Sequence, residues 1–95
     1  MKCVDDYINK LQINGLSRHE FVLPGGSPPL IVYVVEPSGG SKKNVMMYGH
    51  LDKMPWCDGW KYGPTEPVIE GDWMYGRGGA DDGYSAFSCM LSVKA

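Results

Sequence analysis

Two short segments of the sequence combine histidine and aspartate at spacings that suit metal chemistry. The first, residues 48–53, reads Tyr-Gly-His-Leu-Asp-Lys and follows an apolar run. In an extended chain, residues two apart point to the same face, so His50 and Asp52 would lie side by side. A carboxylate or carbonyl beside a metal-binding imidazole fixes its tautomer and orientation. The spacing alone favours a plainer alternative, a solvated histidine near an acidic residue in a turn.

The second segment, residues 75–83, reads Tyr-Gly-Arg-Gly-Gly-Ala-Asp-Asp-Gly. The adjacent carboxylates of Asp81 and Asp82 repel each other, and a bound cation makes both easier to keep ionised. Aspartate is also an ordinary N-cap residue, and capping by itself is the stronger explanation. The glycines do not indicate a phosphate-binding loop, because the required spacing and lysine are missing and two acids would repel a phosphate.

The other polar residues indicate ordinary structure. His19 lies in a strand-like run and is interpreted as a surface residue, and Arg77 is expected to brace the glycine turn. The cysteines, at positions 3, 57 and 89, form no C-x-x-C pair. They are therefore predicted to be free thiols rather than a zinc or redox site.

The two segments belong to one ordered constellation within residues 45–87. Between them stand a Gly-Trp pair and the run Gly-Pro-Thr-Glu-Pro-Val-Ile-Glu-Gly-Asp. Together these motifs resemble the dinuclear zinc exopeptidase and deacylase family, which includes cytosolic dipeptidase, carnosinase, glutamate carboxypeptidase G, aminoacylase and acetylornithine deacetylase. Several motifs in order are more specific than either segment alone.

The resemblance implies roles for three side chains. His50 matches the histidine that binds one metal, Asp52 the carboxylate that orients it and is usually called catalytic, and Asp81 the aspartate that bridges both metals. The bond from Asp81 to Asp82 matches one that is typically cis. Two zinc ions are implied for the complete enzyme, with cobalt or manganese as alternatives, since imidazole and carboxylate ligands suit several ions. One departure is visible, because many relatives read Asp-Asp-Lys-Gly where this chain reads Asp-Asp-Gly-Tyr.

The implied activity is hydrolysis of a peptide or amide bond in dipeptides or N-acyl amino acids by a metal-bridging water. In the family, a Glu-Glu pair that supplies the general base and further Asp and His ligands follow the Asp-Asp motif. Residues 82–95 contain no Glu and no His. We therefore expect residues 1–95 to be an internal fragment, a partial metallopeptidase catalytic domain that is incomplete and inactive alone. Two alternatives are a non-catalytic piece that binds metal weakly or docks on a full-length relative, and an α/β module with coincidental acids.

Short elements must position these residues. The apolar, β-branched run 30–35 indicates a strand buried on both faces. The expected fold class is α/β, part of a three-layer catalytic domain with a mixed sheet, an N-terminal helix, a hairpin and a helix after the Asp-Asp motif. The site would lie at the carboxyl end of the strand before His50, the usual ligand position in open α/β sheets. The pattern predicts helices over 4–13 and 82–95, strands over 21–23, 30–35 and 45–48, and a hairpin over 67–75.

The composition is that of a globular protein. The 95 residues are 43% hydrophobic and 21% charged, and the formal net charge is −2. This mild acidity argues against nucleic acid or an anionic membrane as a partner, and no apolar run approaches the roughly 18 residues of a membrane span. We expect a cytoplasmic protein with a peptide or acyl-amino-acid substrate. The resemblance implies a homodimer where the full-length parent carries the family's dimerising insert.

Overall fold

The computed structural model describes residues 1–95 as two helices and two hairpins. A short 3-10 turn, Pro24–Gly26, connects the strands of the first hairpin. Neither helix has the length and apolar character needed to cross a membrane, and the three cysteines are unpaired. The elements in chain order are α1 (Lys2–Leu11), β1 (Leu16–Phe21), β2 (Leu30–Val35), β3 (Val68–Glu70), β4 (Trp73–Tyr75) and α2 (Ser85–Lys94).

The core lies where the two helices pack against each other. Val4 and Ile8, one helical turn apart on α1, and Met90 on α2 are its buried residues. Tyr7 and Phe87 extend the contact with an edge-to-face pair whose ring centroids lie 5.1 Å apart. Helix α1 therefore anchors α2, which begins three residues after Asp82.

Helix α1 is displaced by two residues from the predicted span of 4–13. It begins at Lys2, because the carbonyl of Met1 accepts hydrogen bonds from N–H groups of the first turn. It ends at Leu11, because Gln12 adopts a left-handed conformation with φ of 48°, which terminates helices.

The first hairpin pairs β1 with β2 in antiparallel register along the whole length of both strands. Residues 30–35 form a strand as predicted, whereas the strand predicted at 21–23 lies earlier, at Leu16–Phe21. The polar run of β1 is extended because it pairs with the apolar β2, a tertiary effect that local apolar patterning does not reveal. The prediction that β2 is buried on both faces is wrong, because β1 is its only neighbour and three of its six residues are exposed.

The second hairpin confirms the prediction for residues 67–75. Strands β3 and β4 pair antiparallel, with Val68 opposite Tyr75. Gly71 in the connecting turn has a φ of 58°, a left-handed conformation that glycine adopts without steric strain.

Residues 45–48 form no strand, contrary to the prediction. The run Val-Met-Met-Tyr is apolar, but no segment of the chain pairs with it, and a strand is defined by hydrogen bonds to a neighbour. The predicted mixed sheet is wrong for the same reason, since the structure contains two separate two-stranded antiparallel sheets. Helices and small sheets make the chain α/β in the broad sense, and the three-layer domain stays a prediction.

Helix α2 begins at Ser85, three residues later than the predicted span of 82–95. Residues 82–84 form a turn instead, and the carbonyl of Asp82 accepts a hydrogen bond from the backbone N–H of Ser85 at 3.1 Å. The paired aspartates therefore lie just outside the helix, in the turn that leads into it.

Truncating Ile8 should destabilise the chain more than truncating an exposed isoleucine. Ile8 is 1% exposed and is the largest fully buried side chain, so Ile8→Ala should lower the free energy of unfolding by about 2–5 kcal/mol. Urea denaturation followed by circular dichroism measures this loss. The matched control is Ile69→Ala, at a side chain that is 76% exposed, and it should change the free energy by less than about 0.5 kcal/mol. Equal losses would contradict a core at the α1–α2 contact.

Candidate metal centre

The two segments singled out in the sequence meet in space, although 31 residues separate His50 from Asp81. His50 lies in the irregular stretch that follows residues 45–48, and Asp81 lies in the turn before α2. Nε2 of His50 is 3.1 Å from Oδ1 of Asp81. The peptide bond between Asp81 and Asp82 is cis, as the resemblance implies. The structure thus brings together an imidazole nitrogen and a carboxylate oxygen.

Asp52 contacts the other nitrogen of the His50 ring, mainly through its backbone. Nδ1 of His50 lies 3.0 Å from the carbonyl oxygen of Asp52 and 3.5 Å from its carboxylate Oδ1. A carbonyl that accepts the Nδ1–H bond fixes the tautomer of the ring as a carboxylate would. The carboxylate of Asp52 is 74% exposed, so it faces solvent beside the ring.

The carboxylate of Asp82 holds the backbone of His50 close to α2. Its Oδ2 accepts a hydrogen bond from the backbone N–H of His50 at 3.2 Å and from the hydroxyl of Ser85 at 2.8 Å. Gly49 permits this approach, because a Cβ atom there would lie 2.8 Å from the Cβ of Ser85, well inside the usual separation of carbon atoms. The sequence pattern indicated a cap or a cation ligand at Asp82, and it did not reveal this contact.

The pKa values of His50 and Asp82 shift in opposite directions. The carbonyl of Asp52 and then the carboxylate of Asp81 raise the pKa of the His50 ring. The hydroxyl of Ser85 is the main group that lowers the pKa of Asp82, and the backbone N–H of His50 adds to it. If the His50 ring is neutral and its proton is on Nδ1, then Nε2 is an acceptor and faces a second acceptor, Oδ1 of Asp81. A proton or a metal cation between them makes the contact attractive.

The nitrogen and oxygen at this contact are ligand types that suit a divalent transition metal. Two such ligands make up only part of a metal site. Two ligands at about 2.0–2.1 Å from a tetrahedral zinc ion lie about 3.3 Å apart, close to the 3.1 Å between Nε2 and Oδ1. The chain holds no group of three His, Cys, Asp or Glu side chains that could bind an ion. Catalytic zinc usually has three protein ligands and a water, so His50 and Asp81 would supply two of three.

A pocket of about 80 Å³ opens beside these side chains. Its size suits a small polar group or a few water molecules rather than a whole substrate. None of the glutamates contributes to its wall. The residues that line it are His50, Asp52, Lys53, Met54, Arg77 and Asp81.

Two basic side chains support the wall of this pocket. Arg77 donates from Nη2 to the carbonyl of Pro55 at 3.0 Å and stacks over the ring of Trp60 at 4.9 Å, which agrees with the bracing role predicted for it. Lys53 was missed in the sequence. Its ammonium is buried without a hydrogen-bond partner, packs against Gly78, and contributes to the lowered pKa of Asp82.

Comparison with known proteins adds a second observation. The chain is 30% identical over 97 aligned positions to the succinyl-diaminopimelate desuccinylase of Erythrobacter litoralis, an alignment that covers 96% of the chain and 25% of that protein. The chain is similar to succinyl-diaminopimelate desuccinylases. It is 34% identical over 66 positions to the desuccinylase of Helicobacter hepaticus, across 64% of the chain and 17% of the relative.

A third similarity is shorter and has a higher identity. Over 33 positions the chain is 54% identical to the succinyl-diaminopimelate desuccinylase of Gluconobacter oxydans, across 35% of the chain and 9% of the relative. No family model matches the chain, and no solved structure matches it. The chain spans a quarter or less of the length of these curated relatives.

Replacing Asp81 should lower the pKa of the His50 ring. The carboxylate of Asp81 raises this pKa, so Asp81→Asn should move the titration of His50 to lower pH while the contribution of the Asp52 carbonyl persists. Following the ring protons of His50 by NMR across pH measures the shift. Asp72→Asn, in the exposed turn before β4, is the control and should leave the titration unchanged.

The same shift sets the sign of the pH dependence of folding. Because the pKa of His50 is raised in the folded chain, its protonation stabilises the fold fully below the unfolded pKa. This contribution is lost as the pH rises through the folded pKa, and it should be smaller in Asp81→Asn. An Asp81→Asn variant with an unchanged His50 titration would show that the two side chains do not interact in solution.

Proposed function

We propose that residues 1–95 supply a metal-binding part of a hydrolase that cleaves an amide bond in N-acyl amino acids or dipeptides. The observation that carries this proposal is the convergence of Nε2 of His50 and Oδ1 of Asp81, two metal-ligand atoms from segments far apart in the chain. Support comes from the similarity to the desuccinylase of Erythrobacter litoralis along 96% of the chain. Their name describes removal of a succinyl group, which favours an N-acyl amino acid over a dipeptide as substrate.

In this proposal, each side chain at the contact has a separate task. His50 and Asp81 would hold the ion, with zinc preferred and cobalt or manganese as alternatives. The carbonyl of Asp52 keeps the proton of the ring on Nδ1, so that the Nε2 lone pair faces the ion. When bound, such an ion polarises the scissile carbonyl and lowers the pKa of a bound water to about 7.

The general base and the remaining ligands would come from other parts of a longer protein. No glutamate lines the pocket, although a carboxylate near the metal-bound water is the usual base in such hydrolysis. The relative from Erythrobacter litoralis is about four times as long as the segment that matches, which leaves room for these groups. We propose that the complete protein acts in the cytoplasm on a peptide or acyl-amino-acid substrate, as a homodimer where it carries a dimerising insert.

A second candidate function is metal binding or docking without turnover. It is favoured by the absence of any group of three ligand side chains, since two protein ligands hold zinc weakly. It is also favoured by residues 45–48, which are exposed, apolar and unpaired. In this alternative the chain would bind a metal weakly or add to the surface of a full-length relative.

Removing either proposed ligand should weaken metal binding by the 95-residue chain. His50→Ala and Asp81→Ala should each raise the Kd for Zn²⁺ at least about tenfold, or 1.4 kcal/mol, measured by titration calorimetry or by the visible spectrum of bound Co²⁺. His19→Ala is the matched control, because His19 is exposed on β1 and bonds to Ser17. If His50→Ala binds zinc as tightly as the wild type, His50 is not a ligand.

The intact mass of the native protein in its source cells separates the proposed function from the alternative. A product several times heavier than 10.5 kDa should hydrolyse N-succinyl amino acids, and Asp81→Ala should lose both its metal and this activity while Asp72→Asn keeps both. A native product of 10.5 kDa without turnover would favour the alternative. A heavier native product that binds zinc and cleaves neither substrate class would overturn the hydrolase proposal.

A further inference from the structure

Asp81 and Asp82 are adjacent, and their carboxylates contact different parts of His50. Asp81 meets the ring at Nε2, whereas Asp82 meets the backbone N–H through Oδ2. The same Oδ2 atom accepts the hydroxyl proton of Ser85, at the start of α2. One oxygen atom therefore ties the irregular stretch containing His50 to a helix end.

This tie is the polar contact that fixes the backbone of His50. Residues 37–62 contain no helix or strand and make no backbone–backbone hydrogen bond. The backbone N–H of His50 has Asp82 as its partner, across 32 residues of chain. Without this contact, the segment would be held by the packing of the neighbouring Leu51 on the core and by the contacts of the two ring nitrogens, and the backbone N–H of His50 would lose its partner.

The packing at Gly49 shows that the His50 segment lies very close to the start of α2. A Cβ atom at Gly49 would lie 2.8 Å from the Cβ of Ser85 and 3.4 Å from Oδ2 of Asp82. Gly49 thus packs directly on the carboxylate of Asp82 and the side chain of Ser85, which are joined by a hydrogen bond. Any larger side chain would push the segment away from α2.

From this geometry we propose that Asp82 is a positioning residue, which sets the imidazole of His50 against Asp81 by holding the backbone of His50 on α2. The inference rests on the proposed function only in taking His50 and Asp81 as metal ligands. Asp82 acts as a hydrogen-bond acceptor at one oxygen and does not itself meet the metal. Its neighbour Asp81 contacts the ring of His50 at Nε2 instead of the backbone.

Because one oxygen, Oδ2 of Asp82, accepts both hydrogen bonds, substitutions at position 82 can test this role. Asparagine at position 82 can present its carbonyl oxygen where Oδ2 now lies, and so keep both hydrogen bonds while losing the charge. Alanine at this position keeps neither. A positioning role therefore predicts that Asp82→Asn behaves like the wild type and Asp82→Ala does not, whereas a ligand or charge role predicts that both variants fail.

The experiment uses the 95-residue chain with two independent readouts. In the metal-free chain, NMR should show a nuclear Overhauser effect between the amide proton of His50 and the β-protons of Ser85, present in Asp82→Asn and lost in Asp82→Ala. The Kd for Zn²⁺ should stay within about threefold of the wild type in Asp82→Asn and rise at least about tenfold in Asp82→Ala. Asp72→Asn and Asp72→Ala are the matched controls and should change neither readout.

A second variant keeps the test valid if Asp82→Ala fails to fold. Gly49→Ala leaves every carboxylate in place but should displace the His50 segment from α2, with the same loss of the Overhauser effect and of zinc affinity. The proposal is overturned if Asp82→Ala or Gly49→Ala retains both, or if Asp82→Asn keeps the Overhauser effect yet loses zinc binding. A wild-type chain that binds no zinc but shows the Overhauser pattern would leave positioning intact and reject the proposed metal site.

Discussion

One carboxylate oxygen, Oδ2 of Asp82, controls the geometry of the candidate site. It accepts a backbone N–H from His50 and a hydroxyl from Ser85, and so joins a long irregular stretch to the one helix end that follows the glycine turn. Residues 37–62 make no backbone–backbone hydrogen bond, so this tie and the packing of Leu51 on the core hold the backbone around His50 in place. The absence of a side chain at Gly49 is what lets the two segments come close enough to share one acceptor.

A hydrogen-bond acceptor lies beside each nitrogen of the His50 ring. A carbonyl lies at Nδ1 and a carboxylate at Nε2, so the ring is favoured when it carries two protons or when a cation replaces one of them. The buried ammonium of Lys53 and the stacked guanidinium of Arg77 lie on the same wall. The charge of Lys53 helps to lower the pKa of Asp82. In the proposed metal site, a cation would compete with the proton for this position, so the metal affinity would depend on pH.

The sequence allowed a good prediction wherever local chemistry decides the structure. The sequence pattern indicated a helix over 4–13 and a hairpin over 67–75, because apolar periodicity and turn residues act over a few positions. The strand predictions failed for β1 and for residues 45–48, since the extent of a strand depends on the segment that pairs with it. The meeting of His50 with Asp81 was expected from the resemblance, whereas the tie through Asp82 joins residues 32 apart and leaves no local signal.

The packing of α1 on α2 joins the first and last segments of the chain across the irregular stretch between them. That stretch carries Lys42 and Lys43, both exposed, in backbone that makes no backbone–backbone hydrogen bond. Trypsin would therefore cut there first, yet the two pieces would share one hydrophobic core, with Val4 and Ile8 on one and Met90 on the other. After cleavage, the two peptides should therefore stay associated through this core.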